Sequence, residues 1–300
     1  NRSFGGAIFT STGSFTIANS TISGNYAAGN GGGFFNASGK LIVRNCTISS
    51  NTALSGGGIF NFSTLQVVNG TFSSNKVSAY GGGVFNSGSS SVTNATFLTN
   101  SAFKGGGGIY NNQSAVLIVI GNTLSGNSSS SFGGGINNLG KTVLTNNTFS
   151  GNNATTGGGG IFNRGTLTVT NNTLSANKSA YGGALYNYRG TLNLLNTILA
   201  NSPTGFDCFN YLGNIGTNTN NLIETNGKCG TPVLSSDPKL GTLAKNGGPT
   251  LTFALLSGSP AIHRGSTAVC AAAPVNNKDQ RGFVRSQDSL CDIGAYELIR

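Results

Sequence analysis

Short apolar segments recur along this chain at a near-constant interval, and each is bounded by the same polar residues. A block of glycines, then an aliphatic, an aromatic and an asparagine, begins at Gly31, Gly56, Gly81, Gly105, Gly133, Gly157 and Gly182, with a shorter copy at Gly5. Each block leads into a short apolar run and then a Thr-apolar-Ser-x-Asn signature. The closing asparagines are Asn25, Asn51, Asn75, Asn100, Asn127, Asn152, Asn177 and Asn201, at spacings of 26, 24, 25, 27, 25, 25 and 24. The unit shows no helical period. Its Thr, Val, Ile and Phe content between Gly, Asn and Ser clusters reads as strands and turns. A unit of about 25 residues cannot bury its own apolar face, so neighbouring units must stack. The pattern predicts an all-β parallel solenoid of about eight coils over 1–206, with a separate β-rich region over 207–300.

Stacking turns equivalent positions into columns. One aliphatic column runs from Ile8 and Phe34 through Ile109 to Leu185, and a second runs from Ile22 and Ile48 to Ile198; both are expected in the core. Corner asparagines such as Asn36, Asn61 and Asn86 suit amide ladders from coil to coil. An aromatic follows each member of the first column: Phe9, Phe35, Phe60, Phe85, Tyr110, Phe162 and Tyr186, with Asn137 interrupting the row. Adjacent strand residues face opposite ways. The aromatic row is therefore expected to face outward as an interface, unless a bend turns both rows inward or the C-terminal segment covers it.

Charge narrows the function. Only 8% of residues are charged, and all seven acids follow residue 206. Residues 1–206 hold no carboxylate side chain and no histidine, the single one being His263. Glycoside hydrolysis uses two carboxyl groups about the scissile bond, and proton transfer near neutrality favours His, Asp or Glu. The coil faces supply none of these, so no catalytic, cofactor or metal site is expected. Asp279, Asp288, Asp292 and Glu297 cluster near the end, but Arg281 and Arg285 lie among them and point to structural ion pairs. The net charge of +10 comes from bases spaced about one per coil rather than clustered, which does not suggest a nucleic-acid surface. The longest aliphatic run, Ala115 to Ile120, is too short to span a bilayer.

Four of the five cysteines, Cys208, Cys229, Cys270 and Cys291, lie beyond the regular repeat. Sequence proximity favours Cys208–Cys229 and Cys270–Cys291 disulfides, which would place the protein outside the cytosol. Zinc is disfavoured, because no Cys-x-x-Cys pair occurs. Cys46 shares its column with Ser20, Gly70, Ala95 and Asn172, reads as solvent-facing, and would be an unpaired thiol or a cross-link to another chain.

The repeats resemble those of right-handed parallel β-helix proteins of bacterial surfaces, including polymorphic outer-membrane-protein-like repeats. The C-terminal third is similar to the choice-of-anchor Q domain family. The similarity rests on Asn246-Gly-Gly-Pro-Thr, Leu255-Leu-Ser-Gly-Ser-Pro-Ala-Ile262, Asp279-Gln-Arg-Gly282 and Cys291-Asp-Ile-Gly-Ala-Tyr-Glu297. The resemblance implies a secreted, cell-surface protein and no particular reaction.

Three functional classes follow. The first is a non-enzymatic extracellular scaffold or adhesin, self-associating head to tail through open solenoid ends. The second is a polysaccharide-binding or polysaccharide-degrading β-helix, in which the aromatic row stacks on the sugars of surface glycans. The third is ice binding, through a hydroxyl row running from Thr21 and Thr47 to Thr173 and Thr197, for which plain strand propensity is the simpler reading.

Overall fold

The computed structural model describes residues 4–285 and 290–299; Asp288 of the acidic cluster lies outside them. The chain is a right-handed, all-β parallel solenoid of about nine turns. Three long sheets run the length of the stack. The first begins at Ile8–Thr10 and ends at Asn226–Gly227, the second runs from Ser14–Ala18 to Asn214–Thr219, and the third from Thr21–Ser23 to Leu222–Ile223. A fourth sheet of two-residue strands, Thr52–Ala53 to Asn153–Ala154, closes one corner. Every pairing in these sheets is parallel.

The glycine blocks allow this stacking. A Cβ at Gly58 would lie 2.5 Å from the carbonyl oxygen of Gly83 in the next coil, so only hydrogen fits there. Gly81 adopts φ +70°, a left-handed turn that glycine enters without steric cost. The corner after the second-sheet strands is made by asparagines at positive φ, such as Asn45, Asn69 and Asn171, except after Val116–Ile120, where Gly121 takes it.

The first aliphatic column stacks in the expected register, Ile8 on Phe34 and on through Ile161 to Leu185. Its next member is Cys208, in a ninth coil. The Cys208–Cys229 disulfide is fully buried and belongs to the same core cluster. The parallel sheets therefore run beyond the 206/207 division read from the repeat. The ninth coil lacks the glycine block and the Thr-apolar-Ser-x-Asn signature, so its sequence does not announce it.

Asparagine ladders line two corners. Asn36, Asn61, Asn86 and Asn111 each donate a side-chain N–H to the next Oδ1 at 2.7–2.9 Å. A second ladder, Asn25 to Asn177, repeats the bond at 2.9–3.0 Å and also accepts a backbone N–H at each rung. Buried amides are costly without partners; here each rung satisfies its neighbour.

Three expectations are corrected. Thr173 pairs with Ile198, not Thr197, so coil eight is displaced by one residue. Thr197 instead occupies an interior column, where Asn172 N donates to its hydroxyl, and Leu199 takes the core place expected of Ile198. Cys46 is buried at 2% exposure rather than solvent-facing. The positive φ of Asn45, 51°, turns the next residue inward, so an unpaired thiol is present but closed to another chain. The aromatic row is covered too. Phe35, Phe60, Tyr110, Phe162 and Tyr186 are only 4–7% exposed, while Phe9 at the first coil is 52% exposed.

Beyond the stack, a hairpin of Leu240–Ala244 with Thr252–Leu255 and one short helix, Thr267–Ala271, are the regular elements among the described residues. The rest is turns, held by the Cys270–Cys291 disulfide. This C-terminal wing lies on the outer side of the third sheet, where Ile198, Leu222, Leu255, Ala261 and Ile293 form a second core. It covers the threonine row in the later coils. Thr123 donates to Leu251 O, Thr148 to Gln280 Oε1, and Thr173 accepts from Ala295 N. The hydroxyl array proposed for ice is thus open only in the first coils.

Candidate binding groove

The aromatic row follows the first sheet on its outer side. Its rings stack face to face along the axis: Phe35 on Phe60 at 5.2 Å, Phe60 on Phe85 at 4.3 Å, Phe85 on Tyr110 at 5.1 Å, with interplanar angles of 6°, 4° and 16°. A second tier of rings covers the first. Phe62 packs edge-on to Phe60 at 4.8 Å, Tyr80 against Tyr110 at 4.6 Å, and Phe132 against Phe162 at 4.5 Å. Both tiers are therefore apolar, but the lower one reaches solvent only at its edges.

The tier above is irregular, and the irregularity makes a site. Directly before the turn glycine, successive coils carry Tyr80, Gly105, Phe132, Gly157 and Tyr181, which align through isolated bridges. Gly157 leaves the space occupied by the Tyr186 ring; a Cβ there would sit 2.3 Å from it. Gly105 leaves the equivalent space, but the residue beneath is Asn137, whose Nδ2 would lie 2.4 Å from such a Cβ. One ring of the ladder is missing between Tyr110 and Phe162.

The gap opens a groove of about 730 Å³, within the usual range of small-molecule sites. Tyr110, Phe162, Tyr80 and Phe132 supply its aromatic walls, and Ser131 and Thr156 supply hydroxyls at one rim. Lys104 stands on the rim beside Tyr80, its Nζ 5.8 Å from the ring centre. Arg164 also lines the groove, and both cations are exposed. Asn137 forms part of the lining at 4% exposure; its Nδ2 donates to Phe132 O at 3.4 Å, and its Oδ1 has no hydrogen-bond partner. Burial, and then the adjacent Tyr80 phenol, push the Tyr110 hydroxyl up to about 12, against the pull of Arg164. Tyr110 thus enters any contact as a neutral donor.

Of the seven aromatic-row residues singled out in the sequence, Tyr110, Phe162 and Tyr186 line this groove; Phe9, Phe35, Phe60 and Phe85 do not. The four C-terminal cysteines are paired in two disulfides remote from it in the chain. Two carboxylates of the wing are held inside it: Asp279 pairs with Arg281 at 2.7 Å and Glu297 with Arg285 at 3.2 Å. Tyr80, Phe132, Lys104 and Arg164 were missed as site residues. They stand in columns that are not chemically constant from coil to coil; only the alternation of ring and glycine before each turn marked them.

The family model of the right-handed beta helix region matches residues 1–124, so that stretch is similar to it. No curated protein and no solved structure matches the chain. Two disulfides are present, and no helix among the described residues is long and apolar enough to cross a membrane.

Proposed function

We propose that this protein is a non-catalytic extracellular adhesin that holds a polysaccharide in the groove above Asn137. One observation carries the reading: a continuous ladder of stacked rings lacks one ring, and the vacant place has aromatic walls and an orphaned amide oxygen. A pyranose is a flat ring with apolar C–H faces and a hydroxyl rim. Its faces suit the aromatic walls, and its hydroxyls suit the Ser131 and Thr156 hydroxyls that line the groove. No acid and no imidazole occurs in residues 1–206, which favours holding a glycan over cleaving it. The disulfides and the C-terminal similarity to the choice-of-anchor Q family support a surface location.

Asn137→Phe tests this. Gly105 leaves room for a ring as Gly157 does for Tyr186. The substitution should complete the ladder, keep the fold and remove the orphaned acceptor, raising stability by about 1 kcal/mol. On a glycan array the parent chain should bind and the variant should not. No binding by the parent, or equal binding by both, overturns the proposal.

A further inference from the structure

We infer that the polysaccharide recognised at this groove is anionic, carrying carboxylate or sulfate groups; this rests on the glycan-binding reading above. Lys104 and Arg164 both line the groove, in coils two apart, Lys104 in the coil of Tyr110 and Arg164 in the coil of Phe162. A third cation, Arg189, lies 5.3 Å from the centre of the Tyr188 ring, which also lines the groove. All three cations are exposed.

Residues 1–206, which carry all three cations, contain no carboxylate side chain, and in the ninth coil Glu224 accepts from Asn201 N. The first acid in the chain, Asp207, is 1% exposed and accepts hydrogen bonds from Ser202 N and from Thr225 N, so it is committed elsewhere. Rim cations beside low-dielectric aromatic walls focus a positive potential over the gap. A neutral glycan would use the rings and leave that field unanswered. A chain laid along the groove brings acid groups on neighbouring sugars to both cations, with its sugar faces against the aromatic walls. Arg164 offers a planar fork suited to a carboxylate or sulfate, and Lys104 a compact charge.

The test uses the full chain, titrated calorimetrically with dextran, dextran sulfate and polygalacturonate. A Lys104→Gln/Arg164→Gln variant is compared with a Lys40→Gln/Arg44→Gln variant. The second pair is exposed on the second sheet and removes the same charge away from the groove. The expected result is preference of the parent chain for at least one polyanion over dextran, weakening as salt is added. The groove variant should lose about tenfold or more in that affinity, and the distal variant should not. Preference for dextran sulfate over polygalacturonate assigns the anion as sulfate, and the reverse assigns it as carboxylate. Binding of dextran as tight as that of both polyanions, or equal losses in the two variants, overturns the anionic assignment and leaves the groove reading standing. If Asn137→Phe binds every probe as the parent does, the groove reading itself falls.

Discussion

Gln280 should be the latch that fixes the C-terminal wing to the solenoid, and its replacement offers a sharp test of how the two parts are joined. The side chain is 3% exposed. Its Oε1 accepts from the Thr148 hydroxyl at 2.7 Å. Its Nε2 reaches Asn122 O, Thr123 Oγ1, Thr250 Oγ1 and Leu251 O at 2.9–3.3 Å. An amide nitrogen has only two protons, so these four contacts count as two bonds. Gln280→Leu therefore removes about three net bonds, and at roughly 1 kcal/mol each the wing loses about 3 kcal/mol. Gln280→Glu keeps the shape but turns a carboxylate toward the Asn122 and Leu251 carbonyl oxygens, and should cost more than Gln280→Leu at neutral pH. Burial raises the pKa of such a carboxyl above its unfolded value near 4.3, so the folded wing prefers the protonated form. That preference is fully expressed below the unfolded value; the penalty grows as pH rises above it. Acidification should thus restore Gln280→Glu toward the parent while leaving Gln280→Leu unchanged. Hydrogen exchange at the Gly294 and Ala295 amides, which bond to Asn196 O and the Thr173 hydroxyl, reports wing release directly. Parent-like protection of those amides in both variants at neutral pH would refute the latch.

Three further outcomes follow from the same geometry. Asn100→Ala removes four hydrogen bonds, to Phe72 O, Asn127 Oδ1, Asn75 N and Asn75 Nδ2, and should cost about 4 kcal/mol in urea unfolding. Asn25→Ala at the half-buried first rung, which loses two, should cost less than about 2 kcal/mol; equal costs would contradict this bond count. Non-reducing peptide mapping should return Cys208–Cys229 and Cys270–Cys291, with Cys46 alkylated only after unfolding; rapid labelling of Cys46 in the native protein would contradict its burial. Because the Tyr110 phenol ionises near 10 when unfolded and at about 12 when folded, stability should fall as pH rises between those values and be unaffected below them. Tyr110→Phe should flatten that slope in alkaline denaturation curves, and an unchanged slope would show that the ring is not desolvated.

The solenoid was legible because each coil poses the same steric problem and solves it with the same residues. Glycine recurs where backbones touch, as at Gly58, and asparagine where a buried amide needs a partner in both directions. The period could not reveal what escapes it. Cys46 was misplaced because an asparagine in the left-handed region, rather than the strand alternation, decides which way that column points. Coil eight was misaligned because Thr197 looks like the threonine row while Ile198 occupies it. The wing was opaque for a different reason. Its anchors join residues more than 120 positions apart, such as Gln280 with Thr148 and Arg285 with Asn146. Arg285 is fully buried, and that burial lowers its pKa while Glu297 and Asp279 oppose the shift. Nothing in local spacing announces such a buried cluster, although Asp279-Gln-Arg-Gly282 was visible as a motif.

The candidate site shows why a deviation from a column can say more than the column. Asparagine is the commonest buried polar residue of this stack, and within a ladder it is satisfied by another amide above and below: Asn111 donates to Asn138, and Asn138 to Asn163. Asn137, the adjacent residue, stands in a column of rings instead. Tyr110 precedes it and Phe162 follows it in register, so neither neighbour continues an amide ladder, and its Oδ1 is left without a partner. An aromatic there would complete the ladder and bury more apolar surface; the chain has a polar residue where packing alone would select a ring. A buried acceptor without a donor costs about 1–3 kcal/mol; Asn30 Oδ1 and Asn171 Oδ1 are left unpartnered in the same stack, and what sets Asn137 apart is its place in a column of rings. In the coil before it, Gly105 abuts Asn137 and stands in place of the ring that Tyr80 and Phe132 supply in neighbouring coils. Two independent departures, one in each aromatic tier, fall at the same place and open the same groove, which is the arrangement expected when the missing ring is supplied by a ligand.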